Sequence, residues 1–198
     1  MSETIGLRER KKRERRRRIE EAAIGLFERD GFDATTIEQI AAAADIAPRT
    51  FFSYFETKDD VVLADYADRL DRVIGVLSTR PPEEPAWTAL RASFAAVSSD
   101  FAAEADGLAR RFTIIAGTPS VQARSLQLQA GWEETLRDHL AARLGVPADS
   151  PDPLLLAATA VAVMRSSVQH WLTRDRDTSL PDLVQRAFDQ IGTGLTAL

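Results

Sequence analysis

Between Arg8 and Arg18, nine lysine or arginine side chains and two glutamates, Glu9 and Glu14, share eleven residues, a local charge of +7. The 198-residue chain as a whole carries −5, so the remainder sums to −12. The chemistry open to such a cluster is the binding of polyanions, because counterions are released where Lys and Arg meet a phosphate backbone. A sign asymmetry of this kind points to nucleic acid or an anionic membrane surface. A solvated basic tail has the same composition, so the cluster needs support from elsewhere in the chain. Other chemistries are poorly supplied. Cysteine is absent, which excludes disulfides and thiolate metal sites. His139 and His170 are the only histidines, too few for a histidine metal centre or for most histidine-dependent acid–base work. No glycine-rich phosphate loop occurs, and the paired carboxylates read as helix-surface charges. The sequence therefore predicts no enzyme, no cofactor and no metal site.

The elements that must present the charges are helical. Ile19, Ala22, Ala23, Leu26 and Phe27 recur at i, i+3, i+4, i+7 and i+8, one apolar face of a helix. That helix starts near Arg8 and stops at Gly31, so the basic cluster fills its first turns. Thr36, with Gln39 three residues on, has the spacing of a capping box. The short helix it opens, Ile37 to about Ala43, buries Ile37, Ile40, Ala41 and Ala44. After a turn at Asp45 and Ile46, Pro48 opens a second short helix running to Phe55, proline being well placed in a first turn. Two short helices joined tightly after a longer one form the helix-turn-helix pattern, whose second helix enters the major groove. A further helix starts at Thr57, with Asp60 as its capping-box partner, and runs through Leu77.

Arg80 to Pro85, RPPEEP, breaks the helical ladder and leads to a second helical region. Helices are expected at about 86–104, 106–117, 119–144, 153–174 and 180–196, with Thr118 and Ser179 at helix starts, Gly145 at a helix end and a loop at Val146–Pro153. Strand signals and repeats are lacking, so the fold class is all-α. The longest largely apolar run, Leu154 to Met164, covers 11 residues, against ~20 for a membrane span. No apolar stretch follows the N-terminal charges. The expectation is a cytoplasmic protein with no membrane partner.

The stretch TIEQIAAAADIAPRTFFSYFETKDDVV, Thr36 to Val62, preceded by AIGLFERDGFDATT from Ala23, resembles the DNA-binding signature of the TetR family of bacterial repressors. The resemblance implies a helix-turn-helix domain over residues 1–56 and a ligand-binding and dimerisation domain over residues 57–198 that dimerises through its last two helices. Three positions depart from the family's pattern: Asp45 replaces a usual glycine, Ala47 a common serine and Phe52 a frequent tyrosine. Asp tolerates the left-handed conformation better than most residues, so the turn can survive. Ala47 leaves the recognition helix without its usual cap hydroxyl, and Phe52 lacks one phosphate-bonding hydroxyl.

Carried over residue by residue, the resemblance implies DNA contacts at Thr36, Pro48, Arg49, Thr50, Ser53, Tyr54 and Lys58. Arg49 and Thr50 begin the helix that enters the groove, where an arginine can bond guanine O6 and N7 or bind a phosphate instead. Thr36, Tyr54 and Lys58 match phosphate-contact positions, while Pro48 and Ser53 line the groove. Phe51 and Phe55 are packing positions. LQLQAGWEETLRDHLAARLGVP followed by MRSSVQHWL resembles the regulatory domain of a subgroup that includes mycofactocin-associated regulators, which implies an acyl-CoA-like ligand. Phe94, Phe101, Phe112, Ile115, Leu128, Trp132 and Met164 are the candidate lining of its cavity, and Arg110, Arg111 or Arg124 would suit its phosphates. An aromatic set at helical spacing also describes plain core, and those arginines also describe a solvated surface. The expected whole is a homodimeric repressor that reads a palindromic operator in double-stranded DNA and responds to an apolar effector.

Overall fold

The computed structural model describes residues 6–174 and 177–194. The described residues form α-helices joined by turns and loops, with no strand among them, as the sequence predicts. They divide into two compact units. One holds the residues up to Ala64 together with Arg110–Ser125, and the other holds Asp65–Ala109 and the residues from Leu126 onward.

In the first unit, α1 (Leu7–Asp30) buries Ile19, Ala23, Leu26 and Phe27. It ends where Gly31 takes φ +89°, a value that needs glycine. Helix α2 (Ile37–Ala43) begins with the expected reciprocal cap. Thr36 Oγ1 accepts from the Gln39 amide at 3.2 Å, and Gln39 Oε1 accepts from the Thr36 amide at 2.8 Å. Ile40, Ala41 and Ala44 are buried, whereas Ile37 is half-buried. Asp45 makes the turn at φ +54°. Helix α3 (Pro48–Phe51) has no side-chain cap at Ala47, and the chain continues as a turn through Tyr54 instead of remaining α-helical to Phe55. Phe51 and Phe55 are buried as expected.

Helix α4 (Lys58–Val62) has the Thr57–Asp60 capping box. The single helix expected from Thr57 through Leu77 is instead two, because Leu63–Asp65 form a turn before α5 (Tyr66–Thr79) begins. The physical reason lies fifty residues on. The Arg111 guanidinium donates to the Val61 and Val62 carbonyls at 2.5 and 3.0 Å. In an unbroken helix those carbonyls would accept from the amides of residues 65 and 66. Arg16 likewise donates to the Ala64 carbonyl at 3.0 Å.

The second unit is built on α5, α6 (Ala86–Ala103), α9 (Pro151–Arg174), α10 (Leu180–Gly192) and most of α8 (Pro119–Leu144). Val73, Leu90, Phe94, Leu136, Leu140, Ala160, Leu180, Val184 and Phe188 are among the side chains of one continuous apolar core. Trp87 lies against Phe188, with ring centroids 4.7 Å apart, and its indole N–H donates to the Phe188 carbonyl at 3.0 Å. Gly192 sits so close that a Cβ there would stand 2.9 Å from Trp87 Nε1. Residues 81–85 are non-helical as expected, and Arg143 holds that loop through the Pro81 and Glu84 carbonyls. Helix α9 starts at Pro151, two residues before the expected start, since prolines 151 and 153 both fall in a first turn whose amides have no helical partner. Ser179 caps α10 by accepting from the Asp182 amide. Residues 195 and 196 of the expected last helix lie outside the described residues.

Candidate nucleic-acid interface

The first unit displays a short helix whose side chains divide cleanly between core and solvent. Phe51 is fully buried on α3 while Pro48, Arg49, Phe52 and Ser53 are exposed, and Thr50 and Tyr54 are half-buried. Among the described residues no hydrogen bond or ion pair occupies the Arg49 guanidinium, so its five donors remain available. Thr36 also lies on the surface, but its hydroxyl oxygen already accepts from the Gln39 amide. A hydroxyl can still donate its proton to a phosphate while accepting there.

Lys58 is engaged differently. Its ammonium donates to the Phe32 and Thr35 carbonyls at 2.8 Å each and stands 4.6 Å from the Phe32 ring centroid. Two of its three N–H donors thus tie α4 to the loop between α1 and α2, a structural task absent from the sequence expectation. Within the basic cluster, Arg16 alone is half-buried, the other eight cations being exposed. Arg16 pairs with Glu20 at 3.2 Å and lies over Phe55.

Residues 110–125 complete the unit. They include the end of α7 (Ala105–Gly117) and the start of α8. Arg110 pairs with Glu28 at 2.8 Å and Glu21 at 3.0 Å. Hydrogen bonds to Glu28 and then to Glu21 raise its pKa further above the ordinary guanidinium value. Arg111 adds to its two carbonyl bonds a pair with Glu20 at 3.0 Å, so Glu20 is gripped by two guanidinium groups. Arg124 stands 3.9 Å from Asp60. The arginines expected to suit an effector's phosphates therefore face carboxylates of α1 and α4. The sequence signal for this was Glu21 and Glu28, two turns apart on one face of α1.

The seven residues expected to line an effector cavity fall in both units. Phe112 and Ile115, half-buried, belong to the first. In the second, Phe94, Phe101 and Met164 are buried in the apolar core, Trp132 packs against that core, and Leu128 is half-buried. An open cleft of about 350 Å³ in the second unit is lined by Asp65, Asp68, Asp71, Arg72 and Glu104. It is polar, and none of the seven borders it.

The model for bacterial regulatory proteins of the tetR family matches residues 19–64, and the model described as the MftR C-terminal domain matches residues 84–196. The chain belongs to the TetR family. This TetR-family transcriptional regulator is 34% identical over 180 residues to the mycofactocin biosynthesis transcriptional regulator MftR of Mycobacterium tuberculosis, a match covering 91% of this chain and 90% of that protein. It is 32% identical over 185 residues to the HTH-type transcriptional regulator TcmR of Streptomyces glaucescens, covering 90% and 81%. Among solved structures, it shares its fold with Thermus thermophilus FadR in complex with lauroyl-CoA, at TM-score 0.58 and 24% identity over 91% of this chain and 94% of that one. Bacillus subtilis FadR in complex with stearoyl-CoA matches at TM-score 0.63 and 16% identity, over 88% and 96%. No helix among the described residues is long and apolar enough to cross a membrane.

Proposed function

We propose that this TetR-family regulator is a homodimeric repressor that places α3 in the major groove of a palindromic operator and is released by an apolar effector of the acyl-CoA class. The observation that carries the DNA reading is Arg49: exposed, unpaired among the described residues, and held on a helix anchored by the buried Phe51. Pro48, Thr50 and Ser53 accompany it toward base edges, while Thr36, Tyr54, Lys58 and the exposed cations of α1 meet phosphates, which position the protein without reading sequence. One such helix reads few base pairs, so two copies reading half-sites ~34–36 Å apart supply the specificity. Leu154 and Leu155, exposed at 53% and 67% on α9, support a surface shared with a second copy through α9 and α10, an isologous arrangement. DNA reading requires the compartment that holds DNA, the cytoplasm of a bacterium.

The effector class is supported by the match to the MftR C-terminal domain and by the acyl-CoA bound to both FadR structures. The division of labour follows the chain: residues 1–56 read DNA, and residues 57–198 bind effector and dimerise. Within the second unit, the effector's candidate lining is Phe94, Phe101, Leu128, Trp132 and Met164. Helix α7 is one of three covalent routes for the signal, beside the Ala64–Asp65 junction and α8, since its first turn belongs to the second unit while Arg110 and Arg111 belong to the first. An effector acts there only by differing in affinity for two placements of α7.

Selection of a binding site from random duplexes with the full chain is expected to enrich a two-fold sequence. Arg49→Ala then relaxes preference at one base pair per half-site by ~1–3 kcal/mol, measured by anisotropy on operator variants. Equal loss on every variant would make Arg49 a phosphate contact instead. Lauroyl-CoA added to the complex is expected to release the DNA, and native mass spectrometry to show a dimer. Unchanged binding in the presence of lauroyl-CoA would remove the effector reading, and a monomer the two-fold one.

A further inference from the structure

The sequence holds fourteen aromatic side chains, and thirteen of them are buried or half-buried. Phe52 is the other, with 57% of its surface in water. It directly follows Phe51, which is fully buried, and the two rings meet edge to face at 5.6 Å and 85°. That contact steadies the Phe52 ring without covering it. The Phe52 backbone keeps right-handed helical angles, φ −67° and ψ −10°. It therefore stands one turn beyond Arg49, and residues three apart on a helix share a face. Helix α3 and the turn that ends it thus offer one cation and one apolar ring side by side.

Resting on the proposed placement of α3 in the major groove, we infer that Phe52 is a specificity-determining residue that reads the C5-methyl group of a thymine. The methyl is the apolar feature of the major-groove edge, and apolar side chains recognise thymine by contact with it. A ring with no hydroxyl has no hydrogen bond to offer a phosphate or a base edge, so what it gains in the groove is burial against carbon. Arg49 and Phe52 then read neighbouring positions by different means, one by hydrogen bonds and one by apolar contact.

The probe is the duplex selected by the full chain, resynthesised with each thymine of one half-site replaced singly by deoxyuridine. This removes the methyl and leaves every hydrogen-bonding group in place. Dissociation constants are measured at fixed salt for the wild-type protein and for Phe52→Ala. One deoxyuridine position is expected to weaken wild-type binding roughly fourfold, the factor that burial of one methylene-sized group carries. Phe52→Ala is expected to bind the thymine and deoxyuridine duplexes equally at that position. Because the ring is exposed, circular dichroism and melting should show the variant folded as the wild type. A wild type indifferent to every deoxyuridine, a half-site without thymine, or a variant that keeps the full deoxyuridine penalty would each overturn the inference while leaving the DNA reading intact. Failure of the selection to enrich any sequence would overturn the DNA reading, and Phe52's role with it.

Discussion

In the first unit, directional bonds to backbone carbonyls fix the geometry. Lys58 reaches Phe32 and Thr35, Arg16 reaches Ala64, and Arg111 reaches Val61 and Val62. In the second unit, burial does most of that work: Phe94, Phe188, Leu90, Leu140 and their neighbours form one apolar cluster, with Arg143 on the Pro81 and Glu84 carbonyls and two tryptophan N–H groups on the Phe188 and Thr178 carbonyls among its directional ties. Apolar contact is non-directional and tolerates rearrangement at constant volume, which suits the region proposed to take the effector. Charge-assisted bonds demand position, which suits a region that must hold a reading helix in register with DNA.

The largest effect that would sharpen this contrast is a truncation in the second core. Phe94→Ala empties a fully buried site and is expected to cost ~3–5 kcal/mol, read by denaturant unfolding, without altering which DNA sequence the surviving folded protein prefers. A change of sequence preference would break the division between the units. Arg111→Ala comes next. It removes the donors from two carbonyls and one of two guanidinium partners from Glu20, at an expected cost of ~1–3 kcal/mol. Amides of α4 and the following turn should exchange faster, and operator binding should weaken about tenfold, roughly 1.4 kcal/mol, while α9 and α10 keep their protection. Uniform loss of protection would mean that Arg111 only contributes to global stability. The smallest effect belongs to Thr36→Ala, which deletes one half of a capping box and should cost ~1 kcal/mol. Thr36→Ser should restore it, and a variant with unchanged melting would show that Gln39 alone suffices.

How much of each unit was legible in the sequence follows from the range of its interactions. The caps at Thr36, Thr57 and Ser179 and the proline start of α3 are settled within four residues, so spacing alone announces them, while the left-handed Asp45 followed from the family resemblance. The break after Val62 was invisible because its cause, Arg111, is about fifty residues away. Larger separations, 82 and 89 residues, hid the partners of Arg110, which the resemblance offered to an effector's phosphates. Phe51 and Phe52 look alike in composition; the family resemblance set Phe51 as a packing position and Phe52 where a DNA-facing tyrosine is frequent, and the packing shows the same division. In the second unit, helical spacing marks Phe94 and Phe101 as inward. Inward positions of a solid core and of a cavity share that spacing, so periodicity gave candidates without a lining.

Gly192 has a consequence for how this protein can diverge from its relatives. Even an alanine there would press on an indole already pinned between the Phe188 ring and the Phe188 carbonyl. Mutational drift along the last turn of α10 therefore meets a wall at one position. A lineage that replaced this glycine would have to shrink Trp87 in step.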